Sequence, residues 1–258
     1  MKTQRYGWKK DQLDHRDKAF KFVPPDSVLP SFVDLRPYCP PVFNQGQLGS
    51  CTANAIAGAL MFEMMKDKTV PAFTPSRLFI YMNERIMEGD PNQDGGAEIR
   101  DGIKSVASQG VCSEDEWPYD ESQFAVKPTD QCYMDAMTFN AFTNKKILYQ
   151  PVDHDLNHIK AVLASGWVVV FGMSVFDGFE SPEVAAAGMV PMPGLNDKPI
   201  GGHATFLNGF NDDVKKVQDQ NSWGLDWGVK GNFYLPYDYI TDPDLTSDYW
   251  AIKLIPAA

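Results

Sequence analysis

The residue with the most chemical potential is Cys51, because of where it stands. It follows the loop CPPVFNQGQLGS (residues 39–50), which its prolines and glycines mark as irregular. It opens the run CTANAIAGALMFEMMK (51–66), Ala-rich and free of proline, which predicts a helix. Ser50 is placed to be the N-cap of that helix. A thiol in the first turn of a helix feels the positive end of the helix dipole, which favours the thiolate and therefore nucleophilic attack. A cysteine in such a place is more often structural, so the reading depends on what the rest of the chain can bring to it.

Three residue types would complete the chemistry. Gln45 lies upstream across the glycine-containing loop, and its side-chain amide can aim N–H groups into the space faced by the Cys51 backbone N–H, forming an oxyanion hole for a tetrahedral intermediate. Of the four histidines, His203 in IGGHATFLNGF has two glycines before it, which leave room for a peptide backbone beside the imidazole. Asn221, in QNSWGLDWGVKGNFYL, can accept the second imidazole N–H and hold the ring toward a thiolate, with Trp223 shielding that bond from water. His15 lies in a charged N-terminal stretch. His154 and His158, in QPVDHDLNHIK, read as solvated; their spacing could hold a metal, but no third ligand is near them.

These residues need elements to hold them. Pro75–Met87, Glu98–Gln109 and a short segment His158–Ala164 read as further helices. WVVVFGMSV, HATFLNGF, NFYLPYDYI and WAIKLI read as strands. Helices thus fill the first half and strands the second, which implies an α+β chain of two lobes with a cleft between them. Residues 1–28, polar and then Pro-rich, read as an extension before the fold.

Composition bounds the function. The chain has 258 residues, 43% of them hydrophobic, enough for a substantial core. A formal net charge of −11 argues against nucleic acid or an anionic membrane as partner. No run approaches the about 20 apolar residues of a membrane span. The charged start has no apolar h-region, so the chain is expected to be cytoplasmic, exported without a conventional leader, or stripped of one. Four cysteines are present, and no pair of them has zinc spacing. With Cys51 set aside, Cys112 and Cys132 could form a disulfide, or Cys39, Cys112 and Cys132 could all be buried free thiols; both readings stand. DPNQDGGAEIRD (90–101) partly matches a calcium loop, with Ala97 and Asp101 at imperfect positions; a solvated acidic loop is the alternative.

The blocks QGQLGSCTA, GGHA and NSWGLDWGVKG, in that order, with LPSFVDLR upstream and EWPYD between, resemble papain-like cysteine peptidases over residues 29–258, and most of all their bacterial and archaeal branch. The resemblance implies a papain-like two-lobe fold, a mainly helical lobe over 29–138 and an antiparallel, β-barrel-like lobe over 139–258. It implies a monomer that cleaves peptides or proteins without cofactor or metal. It assigns Cys51 as nucleophile, His203 as general base and acid, Asn221 as the orienting residue and Gln45 as oxyanion donor, with Trp223 over the Asn–His contact. Gly95 and Gly96 match the strip that pairs with substrate backbone, and Gly202 lies beside the histidine. Phe171 and Met173 are candidate walls of the main side-chain pocket, and Glu98 a candidate negative rim. Leu48 stands where many relatives have a half-cystine, and Gly202 where an Asp is common. Two other uses of such a site are a catalytically silent binding protein and an acyltransferase or transpeptidase. The extension 1–28 is then a short pro-segment or a strap fixed on the fold.

Overall fold

The structure, a computed structural model, describes residues 5–12, 14, 29–68, 71–143 and 145–256. Most of the 1–28 extension, with His15, lies outside the described residues. In chain order the elements are β1 (Trp8–Lys9), β2 (Phe32–Asp34), α1 (Cys51–Lys66), α2 (Arg77–Met87), β3 (Ala97–Glu98), α3 (Ile99–Gln109), α4 (Asp130–Thr143), β4 (Lys145–Pro151), α5 (Leu156–Ala164), β5 (Val169–Phe176), α6 (Pro182–Ala187), β6 (Pro199–Asn211), β7 (Lys216–Gln220), β8 (Asn232–Pro236), α7 (Tyr237–Thr241) and β9 (Thr246–Pro256).

α1 is buried around almost its whole circumference, which explains its alanines: a helix with no solvent face needs small side chains to be approached from every side. It packs on α2 and α3 on one side and on β6 and β9 on the other. Gly58 permits the closest approach, since a Cβ there would lie 2.6 Å from the ring of Phe206 on β6. α2 is set by Ser76, whose side chain accepts from the Phe79 N–H as an N-cap.

The strands form one antiparallel sheet in the order β4-β9-β5-β6-β7-β8, with β2 added alongside β6. The sheet stays open, with β4 and β8 as its outer strands, where a barrel-like lobe was expected. Residues 32–34 pair into this sheet although they precede the helices, so the two lobes do not divide cleanly at residue 138. Three helices, α4, α6 and α7, were not expected from the sequence. α4 carries exposed Met134 and Met137 and no clear apolar stripe, which hid it. In NFYLPYDYI the strand ends at Pro236 and α7 begins at once, because proline ends the ladder and suits a helix start. Glu98, read as the first residue of a helix, instead ends the two-residue strand β3, and the helix begins at Ile99. No helix among the described residues is long and apolar enough to cross a membrane.

Candidate active site

α1 delivers Cys51 to the junction of the helices and the sheet, where it is wholly buried. Backbone N–H groups of Ala204, Gly7 and Thr52 bond to its sulfur. Ala204 follows His203 on β6, so the sulfur lies beside the strand that carries the imidazole. The imidazole Nε2 is 2.8 Å from Asn221 Oδ1, while its Nδ1 has no hydrogen-bond partner. Trp223 stacks on the ring at 5.0 Å, closing one side of that bond to water. Cys51, His203, Asn221 and Gln45 therefore come together from α1, β6, the turn after β7 and the loop before α1.

That loop is tightly held. The Gln45 amide oxygen accepts from Ser222 Oγ at 2.6 Å, and its Nε2 donates to Leu48 O at 2.9 Å. Arg77 donates to Asn44 O and to Asn54 Oδ1, pairs with Glu114, and lies 3.9 Å over the Tyr119 ring. Asp94 accepts from the Gly49 N–H and from Tyr81 Oη, fixing the residues just before Cys51. Ser50 occupies the N-cap position but does not cap: its Oγ accepts from Asn54 and pairs with Tyr119. The first N–H groups of α1 are thereby left for the site, and that of Thr52 points at the sulfur.

The cleft is filled by the chain's own N-terminal residues. Gln45 Nε2 donates to the Arg5 carbonyl at 3.1 Å. The Tyr6 ring stands edge-on to His203 and Trp223, and its hydroxyl donates to Glu180 at 2.6 Å. Gly7 presses on Gly49 and Gly96, and its carbonyl accepts from the Ala97 N–H at 2.7 Å. Trp8 lies on the bare backbone of Gly172 and Gly202 and donates its indole N–H to Asp248 at 3.0 Å. β1 pairs with β3 in parallel. Dry surroundings make both reactive groups neutral: burial pushes the Cys51 thiol up to about 11 and the His203 imidazole down to about 4.

Several expectations are corrected here. Phe171 and Met173 are fully buried, with Phe171 stacked on Tyr249; strand alternation turns Gly172, between them, toward the indole. Of the glycine pair, Gly96 is touched by the N-terminal segment, but the hydrogen bond comes from Ala97, and Gly95 faces Lys9. Glu98 is no open rim, since it accepts from Gln12 N–H and pairs with Arg100. In the acidic loop, Asp94 is engaged with Gly49, Tyr81 and Arg5, and no cluster of metal-ligating side chains occurs among the described residues. Of the two histidines read as solvated, His154 is exposed, with its Nε2 on Ile240 O, whereas His158 is buried against Asp153. All four cysteines are free thiols. Ser222, Asp94, Gly172 and Asp248 escaped the sequence reading. The segment Tyr6-Gly7-Trp8 carried one usable signal, two aromatics around a glycine in an otherwise charged stretch.

A family model described as papain family cysteine protease matches residues 29–247. The chain is 39% identical to an uncharacterised peptidase C1-like protein of Acanthamoeba polyphaga mimivirus, covering 97% of this chain and 87% of that protein. It is 28% identical to cathepsin K of Gallus gallus, over 84% of this chain and 62% of that one. Among solved structures it resembles xylellain, a cysteine protease from Xylella fastidiosa, with a TM-score of 0.88 and 41% identity over 98% of both chains. With a digestive procathepsin L 3 of Tenebrio molitor, at 16% identity and a TM-score of 0.69 over 92% of this chain and 74% of that one, it shares the fold. The chain is a peptide hydrolase acting on peptide or protein substrates, and it belongs to the papain family of cysteine proteases.

Proposed function

We propose that this protein is an endopeptidase working through Cys51 and His203, and that its N-terminal segment holds it latent. The reading rests on the convergence of a sulfur ringed by N–H donors, an imidazole anchored to Asn221, and a Gln45 amide already donating to a peptide carbonyl, that of Arg5. With the segment gone and water admitted, the helix dipole and the mutual attraction of the two groups favour thiolate and imidazolium. The thiolate attacks a substrate carbonyl, whose oxygen takes the place of the Arg5 carbonyl on Gln45 Nε2. His203 protonates the leaving amine, and water activated by His203 then releases the acyl group. Asn221 keeps the ring in place through both steps, and Trp223 keeps water from their bond.

Internal cleavage is favoured because the cleft holds continuous chain from Arg5 to Gln12 and so is open at both ends, with no wall to stop a substrate's terminus. Latency follows from what covers the nucleophile. Gly7 N–H occupies the sulfur, Arg5 O occupies Gln45, and Tyr6 stands against His203. The test is a peptide-library cleavage assay on the full chain, on Cys51→Ala, and on Gly7→Val, whose new Cβ would fall 1.8 Å from Gly49 O and so eject the segment. Cleavage inside peptides by Gly7→Val, slower cleavage by the unaltered chain and none by Cys51→Ala is the expected result. Release of single terminal residues would exclude the endopeptidase reading, and acyl transfer to added amines outrunning hydrolysis would favour a transferase.

A further inference from the structure

The N-terminal segment is fastened at a place where two carboxylates meet. Asp11, on the segment, lies against Asp248 on β9. The Asp11 N–H donates to Asp248 Oδ2 at 2.8 Å, and the same oxygen accepts the Trp8 indole N–H. The Asp11 carboxylate accepts from Trp250 Nε1 at 2.9 Å and from the Arg100 N–H at 3.1 Å. Other charged or titratable groups face this spot from each side. Lys10 is on the segment, Arg100 on α3 bonds to Gln12 O, Glu98 on β3 accepts from Gln12 N–H, Asp14 pairs with Lys104, and His154 lines the same hollow. The donors to these carboxylates include two indole N–H groups and two backbone N–H groups, one of each on either carboxylate.

We propose that Asp11 and Asp248 form a proton-dependent latch, which holds the segment in the cleft while the pair carries a proton and releases it as the pH rises toward neutrality. The proposal rests on the reading that this segment blocks Cys51. Burial, and then the charge of Asp248, push the Asp11 carboxyl up to about 7, against the pull of Arg100 and Trp250; burial pushes Asp248 up as well. The docked segment therefore binds protons that a released one gives up. Above about pH 4 a released Asp11 is ionised, so docking requires proton uptake, and the docking equilibrium weakens by up to about tenfold per pH unit. The effect levels off near pH 7, where docked Asp11 ionises too.

The test measures carbamidomethylation of Cys51 by iodoacetamide, read by peptide mapping between about pH 4.5 and 7.5, a range spanning the carboxylate window. Intact mass confirms that the segment is still attached. Gly7→Val supplies the reference for the intrinsic reactivity of an uncovered thiol. The ratio of the unaltered chain's rate to that of Gly7→Val should rise at least about tenfold across the range. Asp248→Asn keeps an oxygen for both N–H donors and suits the left-handed backbone there (φ 59°). It should flatten the ratio and keep the site closed at pH 7.5, and Asp11→Asn should act in the same direction. A flat ratio in the unaltered chain, or an unchanged slope in Asp248→Asn, overturns the latch. If Gly7→Val reacts no faster than the unaltered chain at any pH, the blocking reading itself fails.

Discussion

Trp8→Ala is the most direct challenge to the idea that a few residues hold this site shut. The indole lies on Gly172 and Gly202 so closely that a Cβ at those positions would come within 1.9 and 2.7 Å of it, and it bonds to Asp248 at 3.0 Å. Trp8 is partly buried, so about 100 Å² of its surface is taken as lost to water, which at about 25 cal/mol/Å² gives ~2.5 kcal/mol. The indole–carboxylate bond adds about 1 kcal/mol, discounted for its position near solvent. Truncation should then favour the open form by ~3.5 kcal/mol, or about three-hundredfold, since 1.4 kcal/mol is a factor of ten. The assay is the rate of Cys51 labelling by an epoxysuccinyl inhibitor at pH 5, where the segment should be docked. If docking is fast, the rate follows the open fraction, and it stops rising once that fraction nears unity. Trp8→Phe keeps most of the ring and loses the N–H, so its rate should rise about fivefold. An unchanged rate in Trp8→Ala, with intact mass and an unchanged melting temperature, would show that the indole does not hold the segment and would refute this account of the closed state.

The other expectations concern the chemistry beneath. In a Gly7→Val background, Gln45→Ala should lower kcat/KM by roughly 10²–10³, the usual loss for one oxyanion donor; placed in the unaltered chain it should also speed labelling, because Gln45 holds the Arg5 carbonyl. Asn221→Ala in the same background should cost about 1.5–3 kcal/mol of transition-state stabilisation, the worth of a hydrogen bond to a charged ring, seen as a fall in kcat with little change in KM. Gly172→Val should increase labelling by a small reagent and yet slow cleavage of peptides with large aromatic residues, since its side chain would stand where Trp8 lies. Thiolate absorbance should appear at lower pH in Gly7→Val than in the unaltered chain, where burial holds the thiol near 11 and the imidazole near 4, leaving both neutral between those values.

Of the four candidate site residues, three carry a local signature of their own, and Gln45 carries none. A helix start marks Cys51, a glycine pair marks His203, and the dense run of tryptophans and glycines around Asn221 has few other uses. The helix α1 was legible from composition, and β5, β6, β8 and β9 from their β-branched and aromatic runs, whereas β2, β4 and β7 were not. What remained hidden depends on pairings between distant parts of the chain. Nothing in DPNQDGG says that Asp94 will serve Gly49, and nothing near Asp248 says that its carboxylate will meet residues 8 and 11. The pocket was misplaced for a similar reason. Phe171 and Met173 looked like walls because they are large and apolar, but in this strand both are buried in the core, and it is Gly172 between them that faces the Trp8 indole. α4 and α7 were missed because neither shows an apolar stripe: the first carries exposed methionines and the second is a single short turn after a strand.

The closed state also constrains what the open state can be. Where the segment passes, the groove is lined by Gly49, Gly96, Gly172 and Gly202, drawn from the loop before α1, the turn before β3, and strands β5 and β6. A groove that lacks side chains on so many sides fits a peptide backbone, and the same space must receive the substrate. The segment and a substrate therefore compete for the same few donors, above all Gln45 Nε2 and the Ala97 N–H. A segment that bound far more tightly would need contacts no substrate could match, and the enzyme would never open. This one gains its extra hold outside the shared groove, from Tyr6 on Glu180, Arg5 on Asp94, and Asp11 on Trp250. Those flanking contacts are where closure can be adjusted without altering the surface on which substrate must lie.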